Sequence, residues 1–446
     1  MRKIISGRRS SSKGDFIIKV NTSLQTTYGG QTPSGTNQFF FPIPNGSDLM
    51  GYAISFEIDW GDGSTSQVNS SNHGTACLHT YSSPGVKTIK ARGNIAGFNF
   101  WQMIGSPGKA DGNKLLEIVR WGDLKMTGGG SGSAGQMFRN CGNLTTISAN
   151  DTPWFVANPL VPSILNSRGG RATFSGCSGL TTINNIANWD VSRVDTLEIM
   201  FSGCGKLQYG TNASGPIDLS NWDVSRCFRF QRMFQSCGAF NAKMFSNLGA
   251  NIPNPVPGGG INFLSMFRNC VNFTNQNSGT MNSWDTSKAT NMRTMFQSCS
   301  VFNDNITSWD TGNVTDMREM FAFSPVFNQN ISSWDVSSVT DMQGIFTSCT
   351  AFDQPIASWN VNAWSAVGTG TRPLESATAS PSFNLSTTNY SNLLVAWDAY
   401  NFPNWPGGTV DFGSSQYLLT SPGNQVALAR LSLISKWGTI NDGGGV

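Results

Sequence analysis

The 446-residue chain is poor in charge, at 12%, and its acids and bases are unevenly drawn: five Glu against 21 Asp, twelve Lys against 17 Arg. Scarce Glu and Lys withhold the strong helix formers and argue against a mostly helical protein. Two His and no C-x-x-C pair leave little raw material for a zinc site. No stretch approaches the ~20 apolar residues that span a bilayer. The first 14 residues lack the apolar core, about 7–15 residues long, of a secretory leader, so the expectation is a chain without one. G-x-S-x-G, H-E-x-x-H and P-loop patterns are all missing.

What is present favours turns. The 49 Gly, with abundant Asp, Asn and Ser, imply many short β elements joined tightly. The net charge of +3 is too small for a nucleic-acid binder. Much of it sits in residues 1–14, where Arg2, Lys3, Arg8, Arg9 and Lys13 precede the first acid, Asp15. This arm reads as a solvated tail or as a docking arm for an acidic partner.

A repeat dominates the rest. Trp284, Trp309, Trp334 and Trp359 recur every 25 residues, and Trp189 and Trp222 open the same phrase upstream. Phe138, Phe174, Phe201, Phe234, Phe267, Phe296, Phe321 and Phe346 mark eight coils, the earlier ones stretched by insertions. A period of 25 is too short for a propeller blade, which takes about 40–45 residues. No coil can hide its own apolar side chains, so the stack is the expected folding unit. Val339, Met342 and Phe346 fall on one face of a helical turn. Phe352, Ile356 and Trp359 suit a short strand and a turn that close the coil. The Asp after each Trp should cap the next turn.

Three residues after each Phe stand Cys141, Cys177, Cys204, Cys237, Cys270, Cys299, Ser324 and Cys349. Stacked coils lie about 4.8 Å apart, a spacing that does not forbid disulfides. Seven thiols cannot all pair, however, and Ser324 fills the slot with a similar group. A buried ladder of free thiols is therefore expected. Cys77 and Cys227 fall outside this position.

The phrase "WDVSSVTDM…IF…C…F" resembles the BspA-like leucine-rich-repeat family of bacterial surface proteins, also met in bacteriophage and protist genomes, over about residues 136–362. The resemblance implies a leucine-rich-repeat-like solenoid with a parallel strand ladder, and mostly adhesins rather than enzymes. Upstream, "ISFEIDWGDGSTSQV" and "HTYSSPGVKTIKARGNI" resemble a PKD domain, an immunoglobulin-like β-sandwich, in which His79 and Tyr81 would be structural. Asp59 and Asp62 do not match a calcium loop. The expected fold is thus mainly β: a basic arm (1–14), a PKD-like sandwich (15–112), an N-terminal cap (113–135), a solenoid of about eight coils (136–383) and a small α+β C-terminal cap (384–446). In the last, Tyr390, Leu393, Leu394 and Trp397 lie at helical spacing, and a second helix and a terminal strand follow.

The functional expectation is a non-enzymatic structural or adhesive surface protein, with no cofactor and no metal. A bacteriophage virion component is the first choice, a capsid decoration or tail fibre at the virion surface, joined to other virion proteins through the basic arm and touching a host glycan or protein. A bacterial cell-surface adhesin is the alternative, and a polysaccharide-active enzyme built on two carboxylates is third. Self-association is left open. Besides the arm, candidate contacts are Trp154 and Phe155 on an insertion, and Asn303, Asn305, Asn328 and Asn330 in a polar strip that repeats in register. That strip reads first as an asparagine ladder bonding to the backbone of the next coil.

Overall fold

The computed structural model describes residues 13–27, 32–43, 53–100, 111–127, 136–156, 170–211, 215–252, 259–361, 384–400, 408–419 and 422–446. The protein is mainly β, with an α+β region at its C-terminal end. Among the described residues no helix is long and apolar enough to cross a membrane.

The N-terminal part contains β1 (Phe16–Asn21), β2 (Gln38–Phe40), β3 (Ser55–Asp59), β4 (Thr65–Asn69), the short helix α1 (His73–Ala76), β5 (Leu78–Thr80) and β6 (Val86–Asn94). In β1, Phe16, Ile18 and Val20 alternate with half-buried neighbours, the two-residue period of a strand with one face in a core. β3 and β4 form a hairpin through the Trp60–Gly61–Asp62–Gly63 turn. Gly61 has φ +79°, and a Cβ there would meet the Thr88 carbonyl at 2.3 Å, so only glycine fits. β2 pairs with β5, and Phe41, just after β2, packs on Phe16, Phe56 and Phe98.

β7 (Leu115–Arg120) joins this part to the repeats without a linker. It is antiparallel to β1 on one side and parallel to β9 (Thr146–Ile147) on the other. With β11 (Thr182–Ile183), β12 (Tyr209–Thr211), β13 (Gly215–Asp218) and β14 (Ala242–Lys243), one ten-stranded sheet runs in the order β14-β13-β12-β11-β9-β7-β1-β6-β3-β4. Beside it, β8 (Lys125–Thr127) pairs with β10 (Trp154–Val156), and further along β15 (Ile261–Asn262) pairs with β16 (Ala289–Asn291). The continuous strand ladder expected from the repeats is not formed: the later coils meet through single bridges, Asn291 with Asp316 and Asp316 with Asp341.

The eight marker phenylalanines stack in a column. Phe296, Phe321 and Phe346 are parallel to within 6°, with centroids 5.8 and 6.1 Å apart. Trp284, Trp309 and Trp334 form a second column, and Phe302, Phe327 and Phe352 a third. All are buried, and each large side chain contributes about 1.5–3 kcal/mol.

The helical turn expected at Met342 and Phe346 is instead a run of tight turns with two left-handed residues in each coil after the first. One column comprises Ala172, Ile199, Arg232, Ser265, Thr294, Glu319 and Gly344, and the other Asn140, Gly176, Gly203, Ser236, Asn269, Ser298, Phe323 and Ser348. Alternating right- and left-handed residues turn successive N–H groups to one side. Met317, Glu319, Phe321 and Phe323 accordingly donate to the carbonyls of Asp341, Gln343, Ile345 and Thr347 in the next coil at 2.7–3.0 Å. Left-handed side-chain-bearing residues cost about 1–2 kcal/mol each, offset by these bonds. Phe352, Ile356 and Trp359 close the coil without a strand; a short 3-10 turn, Ile356–Ser358, stands there.

The C-terminal part pairs α2 (Thr387–Asp398) with α3 (Gln425–Trp437), and β17 (Gly408–Asp411) with β18 (Gly438–Asn441). Ser386 caps α2 through the Asn389 amide at 3.4 Å. Trp397 meets Trp437 edge-on at 6.3 Å, and Asp442 binds both Arg430 and the Tyr390 hydroxyl.

Candidate functional site

Arg2, Lys3, Arg8 and Arg9 lie outside the described residues. Lys13 is anchored: its backbone N–H donates to Asp123 Oδ1 at 2.6 Å and its Nζ to the Thr152 carbonyl at 3.4 Å. The ammonium stands 5.7 Å from the centre of the Trp154 ring, and Lys125 Nζ stands 5.5 Å from it. Lys13 and Trp154 were read separately from the sequence, one in the arm and one in an insertion. The bonds of Lys13 to Asp123 and Thr152 bring them together, and pairing of β10 with β8 adds Lys125, which the sequence reading missed. Trp154 remains 36% exposed, whereas Phe155 is buried and leans on Trp189 at 6.2 Å. Phe155 therefore anchors the insertion, and Trp154 with its two ammonium groups forms an exposed cationic and aromatic spot. Such contacts are worth about 0.5–1 kcal/mol each at an exposed site.

The polar strip serves the stack. Asn303 Oδ1 accepts from the Asn328 amide at 2.9 Å, and Asn328 Oδ1 from the Asp353 amide at 3.0 Å. Gln329 and Gln354 side chains donate back to the carbonyls of Asn303 and Asn328. Asp353 ends the ladder by accepting from the Ser386 amide and the Asn389 side chain, both at 2.8 Å, so α2 docks on the last rung. Asn305 and Asn330 accept from the amides two residues on, those of Thr307 and Ser332, as tight-turn residues.

The thiols form a second internal ladder. Cys177, Cys204, Cys237, Cys270, Cys299 and Cys349 each donate to the marker-Phe carbonyl of the preceding coil at 2.7–3.2 Å. All nine cysteines are free and buried. Burial pushes Cys77, Cys237 and Cys349 up to about 12 and removes thiolate reactivity at neutral pH. Among the described residues no group of three or more His, Cys, Asp or Glu is placed to hold a metal ion.

Asp190, Asp223, Asp285, Asp310 and Asp335 each accept from the amide two residues on, closing the turn after Trp. His79 stacks on Trp60 at 4.8 Å and binds Asp62 at 2.8 Å, with Ser64 at 3.4 Å on the same Nε2. Ser and Asp thus share one ring nitrogen, which leaves no relay between them through the ring. Asp316 and Asp341 are bridge partners in adjacent coils, and burial raises Asp316. Each carboxylate nevertheless accepts from a backbone amide two residues on, that of Arg318 or Gln343. A cleft of about 500 Å³ opens where the N-terminal part meets the first coils, lined by Asn21, Leu24, Leu116, Asn143, Thr145 and Lys206.

No curated protein and no solved structure matches this chain. Residues 171–251 and 261–379, somewhat less than half of the sequence, match a family profile described as "Mycoplasma protein of unknown function, DUF285", a similarity confined to the repeats and the segment after them.

Proposed function

We propose that this chain is a non-enzymatic structural or adhesive surface protein, in which a leucine-rich-repeat-like solenoid of the BspA-like kind stands between a PKD-like β-sandwich and a C-terminal cap. The observation that carries the reading is how the repeated polar groups are used. The Cys and Asn columns bond to neighbouring coils and each post-Trp Asp closes its own turn, so the repeated chemistry builds a rigid scaffold and the irregular positions are left to meet partners. For the sandwich, the support is the Tyr81 hydroxyl on the Trp60 carbonyl at 3.1 Å, and His79 stacked over the same tryptophan.

A virion component is the more specific reading, with the basic arm joining it to the particle. Its support is the cationic start of the chain and the docking of Lys13 beside Trp154. The second reading is a bacterial cell-surface adhesin, favoured by the repeat phrase itself. Mass spectrometry of purified particles from the source, with and without a high-salt wash, decides between them. Stoichiometric recovery supports the virion reading, and release by salt implicates the arm. Recovery only in a cell-envelope fraction gives the adhesin.

A further inference from the structure

On either side of each ladder position the chain turns, and the two halves of the stack fill these turns differently. Among the second, fourth and fifth residues after each marker Phe, the first four coils have Gly142, Gly176, Gly179, Gly203, Gly205 and Gly238, and the last four have no glycine. The last four carry Val271, Val301, Phe323 and Val326 instead, each 39–42% exposed. The turn positions adjoin from coil to coil. A Cβ on Gly142 would lie 3.7 Å from Ser178 Oγ, one on Gly205 3.6 Å from the Ser236 carbonyl, and one on Gly238 3.8 Å from Val271 Cγ2. They form one row along the stack, and Lys206 is its only charged member.

The row is therefore hollow at one end and raised at the other. The cleft of about 500 Å³ lies over the first three coils, with Gly142, Gly179 and Lys206 in its lining and Leu24 and Leu116 beside them. At the raised end Phe323 is left-handed, with φ +60°, where every other coil places Asn, Gly or Ser. A bulky residue in that conformation is strained, and its ring is 41% exposed, so the coil's own packing does not account for it. Seven steps of 5.4–6.1 Å make the row about 40 Å long.

We infer that a second copy of the chain covers this row, related by a two-fold axis that crosses it between the fourth and fifth coils. Such an axis sets the first coil against the eighth, the second against the seventh and the third against the sixth. Phe323, Pro325 and Val326 of the seventh coil then enter the cleft over the second, where Gly176 and Gly179 leave room. Lys206 meets the sixth coil, whose Ser298 and Ser300 offer hydroxyl acceptors. Each copy gives its ridge and receives the other's, so the contact is self-complementary and closes. A stable interface buries about 800 Å² per partner, a strip about 20 Å wide over the whole row. One ridge in one hollow uses half that length and needs twice the width, which favours the closed pair over an open chain of copies. The inference goes beyond the scaffold reading and stands or falls separately from particle association.

The test is sedimentation equilibrium of the full chain, which should show a reversible monomer–dimer equilibrium. Phe323→Ser installs the residue of the neighbouring coils and should raise the dissociation constant by about tenfold or more, as loss of a buried aromatic anchor does. Gly205→Arg should do the same by filling the hollow. Gly205 is not left-handed and a Cβ there lies 3.6 Å from its nearest neighbour, so the fold accepts the change. Val86→Ser, on the sandwich and equally open to water, should leave association unchanged. Mixing Gly205→Arg with Val301→Glu should restore it, because the axis sets the third coil against the sixth. Phe323→Ser relieves left-handed strain, so at dilutions where both are monomers it should melt no lower than the parent, which separates lost docking from lost folding. A parent chain still monomeric at about 100 μM would give the row to a different partner and overturn the inference. So would equal association by Phe323→Ser and Gly205→Arg, or growth into open-ended polymers.

Discussion

The Ser324 hydroxyl donates to the Phe296 carbonyl at 2.7 Å, taking the place that Cys299 Sγ holds on Phe267 at 3.0 Å. The ladder position thus asks for a small donor rather than for a thiol. Cys299→Ser should cost less than about 1 kcal/mol, whereas Cys299→Ala should cost about 0.5–1.5 kcal/mol more, because the Phe267 carbonyl loses one of its two donors and keeps only the Cys270 amide. Denaturant titration of both variants checks this. With all nine thiols buried, a thiol reagent at pH 8 should label the native protein only after unfolding.

Phe321 lies between Phe296 and Phe346 in the column and faces Phe327 at 3.8 Å. Phe321→Ala removes contacts on three sides and should destabilise by about 3–5 kcal/mol. A midpoint shift in denaturant worth under about 1 kcal/mol would show that neighbouring coils collapse into the gap.

Lys114 and Asp111 form a fully buried pair at 3.4 Å. The ammonium donates to Ser34, Gly35 and Gln38 carbonyls, and the carboxylate accepts from the Ser34 and Phe40 amides. Burial pushes Asp111 up and Lys114 down, against their mutual attraction. Lys114→Met strands the carboxylate and should cost about 3–5 kcal/mol. Adding Asp111→Asn should recover part of it, measurable as a non-additive double-mutant cycle.

The Ser64 hydroxyl, with His79 beside it, holds the Asp62 carboxyl down to about 2 from 3.8. A depressed carboxylate contributes stability that is present above its unfolded value and lost as pH falls through its folded one. The gap in thermal midpoint between the parent chain and Asp62→Asn should therefore be constant above 3.8 and close toward about 2. A gap that persists unchanged to the lowest pH would assign the effect of Asp62 to shape rather than charge.

The sequence made the stack legible because its anchors are large, apolar and periodic: each marker Phe and each ladder Cys sits where its spacing predicts. β1, β3, β6, α2 and α3 were legible too, as their apolar periods match strands or helices. The two left-handed columns were not. Ile199, Glu319 and Phe323 are poor residues for that conformation, and bonds to neighbouring coils impose it. The Lys13–Trp154–Lys125 cluster was half legible, since a three-residue strand pairing with nothing to announce it completes it.

β7 is one strand with two owners, bonded to β1 of the N-terminal part and to β9 of the first coil. A pull between the two ends of the molecule would find no slack tether to straighten there. It would load a row of backbone bonds in shear, all of which must fail together. A tether stretches before it transmits force, whereas this junction passes on torque and tension at once, as a lever does.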